Sequence, residues 1–127
     1  MTARHFDIAI IGSGIAGGAL AVALKDSGLS VLLLDRRSGP LDTARGDHIQ
    51  PAMQSVLSRW GVMDQLLEAG AERGAGTRWV GGEGGESVAV RVPRGEGCAG
   101  AFLFLNHEKI GDILLATAVR AGAVNIT

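Results

Sequence analysis

The six residues Gly12-Ser13-Gly14-Ile15-Ala16-Gly17 constrain this chain more than any other feature. A G-x-G-x-x-G run is a weak signal in isolation, and its neighbours supply the specificity. Phe6 to Ile11 (Phe-Asp-Ile-Ala-Ile-Ile) is a short isoleucine-rich run that reads as a buried parallel strand. Behind the glycines, an alanine- and leucine-rich stretch from Ile15 to Ser27 reads as a helix, with Gly28 as a left-handed C-terminal cap. Ser30 to Leu34 is a second apolar strand, closed by Asp35. Strand, helix and strand within about 30 residues make a βαβ unit, whose crossover is expected to be right-handed.

Each glycine answers a different demand. Gly12 serves the tight turn, Gly14 lets a pyrophosphate approach the backbone, and Gly17 lets the helix pack closely on the strand. The start of a helix offers N–H groups without intrahelical partners and about half a positive charge, so a diphosphate is stabilised there. Ser13, Ile15 and Ala16 complete this candidate nest. Ala21 and Leu24 fall on the helix face that packs on the sheet. Asp35 lies about 20 positions past the glycines, where a carboxylate accepts hydrogen bonds from an adenosine ribose. That carboxylate does not separate NAD from FAD. Arg36 and Arg37 suit a 2′-phosphate without proving one.

The chain from Arg36 to Gln50 is polar and irregular, and a helix is expected to start near Ile49 or Pro51, since proline is well tolerated in a first turn. Ala52, Met53, Val56, Leu57 and Trp60 form an apolar stripe at helical spacing, which makes Trp60 a core residue. Gly61 stops that helix, and Val62 to Ala69 reads as a second one stopped by Gly70. Residues 71–105 are glycine-rich, with strand-like pieces at Thr77–Val80, Ser87–Val92 and Ala101–Leu105 that read as an antiparallel crossover excursion. Ile110, Ile113, Leu114, Thr117, Ala118 and Ala121 define a further amphipathic helix, capped by Asn106 and ended by Gly122. Ala123 to Thr127 begins a third parallel strand. The expected class is α/β: a Rossmann-like unit with a parallel sheet and an antiparallel excursion. A sequence that stops inside such a strand is expected to be the N-terminal part of a longer enzyme whose substrate domain lies elsewhere.

Composition narrows the partners. A net charge of −1 gives no electrostatic reason to expect nucleic acid or an acidic membrane surface. The single cysteine, Cys98, forms neither an internal disulfide nor a zinc cluster, which fits a reducing cytoplasm. His5, His48 and His107 lack metal-ligand spacing, so no metal is expected. No apolar run approaches the roughly 20 residues of a membrane span, and the N-terminus has no signal-peptide core. A cytoplasmic, soluble protein is the expectation.

Residues 6–70 resemble the N-terminus of the flavin-dependent aromatic hydroxylases, the p-hydroxybenzoate hydroxylase-like family. The matching residues are Gly12-x-Gly14-x-x-Gly17, Asp35-Arg36, Thr43-Ala44-Arg45-Gly46, and the run Leu57-Ser58-Arg59-Trp60-Gly61-Val62-Met63-Asp64-Gln65-Leu66. The segment from Asn106-His107-Glu108-Lys109-Ile110 to Ala121-Gly122-Ala123 resembles the family's later helix and the turn into its third parallel strand. Residues 71–105 carry little of the likeness.

The resemblance implies FAD as cofactor. It places Asp35 and Arg36 at the adenosine end and Arg45 at the FAD phosphates or ribose, while Arg37 reads equally as a cofactor contact and as a surface charge. His107 stands where the family usually has an arginine or glutamine facing the flavin side. It reads equally as a helix-start residue exposed to water. His48 reads as a loop histidine, with a place near the flavin as the alternative. The implied activity is monooxygenation: NAD(P)H supplies electrons, and O₂ supplies an oxygen atom passed to a small organic substrate. The flavin carries the chemistry while the protein binds, orients and excludes water. Two family landmarks, an Asp-Gly segment and a Gly-Asp-x-x-His-like segment, are absent here, so no catalytic residue is assigned. A prenyl-chain reductase, a flavin halogenase and a non-catalytic nucleotide-binding domain are the alternatives.

Overall fold

In the computed structural model, which describes residues 4–38, 46–82, 85–92, 94–95 and 98–127, the apolar run after Asp7 is strand β1 (Ile8–Ile11). The glycine turn leads into helix α1 (Ile15–Ala23) and then strand β2 (Val31–Leu34). The elements that follow are β3 (Gly46–Ile49), α2 (Pro51–Arg59), α3 (Met63–Glu68), β4 (Glu72–Gly74), β5 (Gly76–Val80) and β6 (Ser87–Arg91). The last are β7 (Arg94–Gly95), β8 (Cys98–Ala99), β9 (Phe102–Asn106), α4 (His107–Arg120) and β10 (Val124–Ile126). The chain divides into two units: Met1–Arg45 with Asn106–Thr127, and Gly46–Leu105.

The first unit holds a parallel sheet in the order β1-β2-β10. Ile8 pairs with Val31 and Ile11 with Leu34, while β10 lies on the other side of β2 with Val124 opposite Leu32. A polar clasp aligns the first two strands where they begin. Asp7 Oδ2 accepts from Ser30 N at 2.8 Å and from Ser30 Oγ at 2.6 Å, and Asp7 N donates to Ser30 O at 3.1 Å. Ile10, Val31 and Leu33 are buried on one face of the sheet with Ala21 and Val22 of α1 and Leu114 and Ala118 of α4. The two helices approach closely at Gly18, where a Cβ would stand 3.1 Å from Leu114 Cβ. Asn106 caps α4 by accepting from Glu108 N at 2.9 Å, which satisfies one of the four orphan donors of that helix.

Three readings of this unit need correction. β1 begins at Ile8 rather than Phe6. α1 ends at Ala23 rather than Ser27, because Lys25 N and Ser27 N donate to carbonyls three residues back and Ser27 Oγ also donates to Leu24 O. Those tighter turns end the helical ladder before Gly28, which still adopts the left-handed φ of 77°. Nor is β1 buried on both faces. Ile11 is 80% exposed, and its register partners Leu34 and Ile126 line the same open side. The helices of this unit cover the Ile10 face, toward which Gly17 packs: a Cβ there would stand 3.3 Å from Ile10 Cγ2.

In the second unit, β9 is central in the sheet β3-β9-β4, and Glu72 to Gly74 run antiparallel to Phe104 to Phe102. Period-two alternation buries Leu103 and Leu105, with Leu57, Val62 and Leu66 of the α2–α3 segment also in the core. Phe102 and Phe104 alternate to the opposite face, where His48 of β3 meets them at ring-centroid distances of 5.2 and 6.1 Å. β5 and β6 form an antiparallel pair, as do β7 and β8, in keeping with the expected antiparallel strands.

Here the sequence pattern misleads in three places. The buried face of α2 is Pro51, Gln54 and Leu57, while Ala52 and Met53 are exposed and Trp60 is half-buried. Gln54 takes a core position because its Nε2 donates to Ala101 O at 2.7 Å, a bond the helical periodicity of apolar residues does not reveal. Trp79 is 70% exposed on β5, although packing within the sheet is the commoner fate of a strand aromatic. β3 occupies a stretch read as irregular, since its conformation comes from pairing within the β9 sheet and not from local propensity.

Candidate functional site

The glycine turn is shaped by two different physical demands. Gly12 has φ 99°, the left-handed region that L side chains avoid, and its N–H donates to Leu34 O at 2.7 Å. Gly17 is required by space: a Cβ there would fall 1.8 Å from Gly12 O. Gly14 is the N-cap of α1, with an extended backbone and no side-chain cap bond, and no acidic residue lies in the first helical turn. The positive end of α1 is therefore left without an anionic partner from its own first turn.

Asp35 completes this arrangement from the end of β2. Its side chain is only 6% exposed. Oδ2 accepts from Ser13 N at 2.8 Å and from Ser13 Oγ at 3.0 Å. Oδ1 accepts from Arg37 N at 3.0 Å and Arg37 Nε at 3.3 Å, and Arg37 Nη2 reaches Oδ2 at 3.2 Å. The Arg37 side chain does most to hold this carboxyl well below the ordinary value of 3.8, followed by the Ser13 and Arg37 backbone N–H groups, with burial opposing them.

The sign of the resulting pH dependence follows. The folded pKa is below the unfolded one, so the contribution of Asp35 to stability is complete above 3.8 and is lost as pH falls from 3.8 toward the folded value. Thermal melts of the wild type are expected to lose stability more steeply with falling pH below 3.8 than melts of Asp35→Asn. Equal slopes for the two proteins would remove the ion pair from the account.

A pocket of about 360 Å³ opens at this end of the sheet. Of the expected cofactor residues, Ser13, Gly14, Ile15, Asp35, Arg37 and His107 line it. Gly12 and Gly17 shape the turn without lining the pocket, and Ala16 and Arg36 are exposed outside its wall. Arg45 lies outside the described residues. His107 opens α4 at the pocket wall. The sequence reading missed Ser38, Glu108, Gly111, Asp112, Leu115, Asn125 and Thr127. A signal for four of them was available: 108, 111, 112 and 115 share one helical face, the i, i+3, i+4, i+7 set that continues from the helix start. A helix N-terminus, a glycine nest and a buried ionised carboxylate sharing one pocket wall suit a ligand that joins a diphosphate to a ribose. Among the described residues no cluster of side chains is built to hold a metal, and no helix is long and apolar enough to cross a membrane.

The family described as FAD binding domain matches residues 5–127. A 3-amino-4-hydroxybenzoate 2-monooxygenase of Streptomyces cremeus is 29% identical over 131 residues, covering 99% of this chain and 32% of that protein. The FAD-dependent monooxygenase terD of Aspergillus terreus is 40% identical over 62 residues, 49% of this chain and 10% of that protein. The chain thus spans less than a third of the length of either relative. Among solved structures, the myxobacterial chondrochloren halogenase CndH, an FAD-dependent halogenase, superposes with a TM-score of 0.80 at 25% identity, over 94% of this chain and 28% of that one. With the family match running from residue 5 to residue 127 across the whole βαβ unit, this chain belongs to the FAD binding domain family.

Proposed function

We propose that the chain is the dinucleotide-gripping part of an NAD(P)H-dependent flavin monooxygenase that acts on a small organic substrate with O₂. The observation that carries this reading is Asp35 folded back onto the glycine turn, its Oδ2 2.8 Å from Ser13 N, beside the uncapped start of α1. The α1 N-terminus at Gly14 and Ile15 would hold the FAD diphosphate. Asp35 would accept from the adenosine ribose, and Arg37 and His107 would flank the cofactor from the segment after β2 and from α4. Arg36 and Arg45 keep the adenosine-side and phosphate roles that the family resemblance implies. When bound, the flavin supplies the redox chemistry, and the residues here bind and orient it. The monooxygenase reading draws its support from the relatives called monooxygenases in Aspergillus terreus and Streptomyces cremeus.

Gly14→Val tests the assignment. A Cβ at Gly14 would meet nothing nearer than Arg37 Nη2 at 3.8 Å, so the fold has room for the new side chain while the diphosphate does not. The variant is expected to keep wild-type far-ultraviolet circular dichroism and to lose flavin absorbance after purification. Normal flavin content in that variant would move the diphosphate away from Gly14. For a protein that carries this chain together with a substrate domain, oxygen-dependent consumption of NADH or NADPH on addition of a small organic substrate is the expected activity.

A flavin halogenase is the second reading, favoured by the superposition on CndH. Product analysis with and without halide separates the two: an oxygenated product that does not depend on halide supports the monooxygenase.

A further inference from the structure

The carboxylate expected to take the ribose hydroxyls is already saturated. Asp35 receives Ser13 N, Ser13 Oγ, Arg37 N, Arg37 Nε and Arg37 Nη2, five donors against the roughly four lone-pair sites that a carboxylate presents. Of the two backbone donors, Ser13 N belongs to the glycine turn and Arg37 N to the segment just after β2. The guanidinium is different: its side chain is 38% exposed, against 6% for the carboxylate it covers, and it can leave without moving the backbone. It also hangs over the glycine turn, with Nη2 3.8 Å from where a Cβ of Gly14 would stand. Among the described residues lining the pocket, Asp35, Glu108 and Asp112 are acidic and Arg37 is the only arginine or lysine.

We infer that Arg37 makes this pocket demand a phosphate: its guanidinium closes Asp35 to ribose hydroxyls until a diphosphate at Gly14 takes the guanidinium over. The inference rests on the dinucleotide reading above and adds a specificity rule to it. A ligand with ribose but no phosphate has to break the Arg37–Asp35 pair and offers the released cation no anion. A ligand with both groups exchanges one charge-assisted pair for another at nearly level cost, and guanidinium matches phosphate as well as it matches carboxylate. Arg37 is therefore a specificity-determining residue that acts through Asp35, and its removal affects the two ligand types in opposite directions.

The test is calorimetric titration of the flavin-free protein with ADP and, separately, with adenosine. Arg37→Gln is expected to weaken ADP by about tenfold or more, the worth of a charge-assisted contact, and to tighten adenosine severalfold. Arg37→Lys keeps the charge and is expected to keep ADP well ahead of adenosine, which also covers the case of a glutamine variant that does not fold. Adenosine affinity unchanged or lowered in Arg37→Gln overturns the inference, as does a lysine variant in which ADP has no advantage. A wild type that binds neither ligand sinks the dinucleotide reading itself, a result distinct from either of these.

Discussion

Gly17→Ala is expected to unfold the turn between β1 and α1 and to leave the protein without flavin. The added methyl would fall 1.8 Å from Gly12 O and 3.0 Å from Gly12 C, both backbone atoms that no rotamer change can move aside. Relief requires α1 to lift off β1, which strips Ile10, 8% exposed, and Val22, fully buried, of their packing. Overpacking at this severity costs about 3 kcal/mol or more, near the upper end of single substitutions. At the scale of a small domain that lowers Tm by roughly 10 °C or more. The measurement is a thermal melt together with the flavin content of the purified protein. Wild-type melting in Gly17→Ala would show that the turn tolerates a side chain and that its close approach is not structural. Gly17→Ala and Gly14→Val are thus expected to differ, the first losing stability together with flavin and the second losing flavin alone.

Asp35→Ala is expected to lose both stability and FAD. Five donors lose their acceptor at once, among them Ser13 N and Arg37 N, which belong to the backbone near the pocket floor. Leaving shielded donors unpaired costs about 1–3 kcal/mol each before water or relaxation recovers part of it, so a net loss of about 2–4 kcal/mol is expected. Cofactor affinity falls by about a hundredfold, because the ribose loses its acceptor and the turn that presents Gly14 loses the side chain that steadies it. Denaturant melts and flavin titration of the same sample separate the two effects. Asp35→Ala with wild-type stability and wild-type flavin affinity would leave the carboxylate without a role in either.

The βαβ unit was legible because its signals are local. Glycines at 12, 14 and 17, a β-branched run before them and an acid after the next apolar run each act within a few residues of the chain. Pro51 at the first position of α2 and the left-handed glycines Gly61, Gly70 and Gly122 were legible for the same reason. The second unit was harder. Gln54 is 2% exposed while Met53 beside it is 44% exposed, because a hydrogen bond to Ala101 O, 47 residues away, turns the helix to a face that its apolar residues do not mark. Strand β3 formed where the chain looked irregular, since its neighbour β9 lies far along the sequence, at Phe102–Asn106.

The candidate site divides along the same line. The sequence alone determined the start of α1, the turn that presents it and the acid that closes β2, since bond geometry and helix polarity make those consequences of residue type and spacing. Only the tertiary structure brought α4 to the pocket, with Glu108, Gly111, Asp112 and Leu115 on its wall, and joined Arg37 to Asp35 above Gly14. Those are contacts between segments far apart in sequence, or choices among side-chain rotamers. Packing and charge decide them after the backbone has folded, and no local pattern records the outcome.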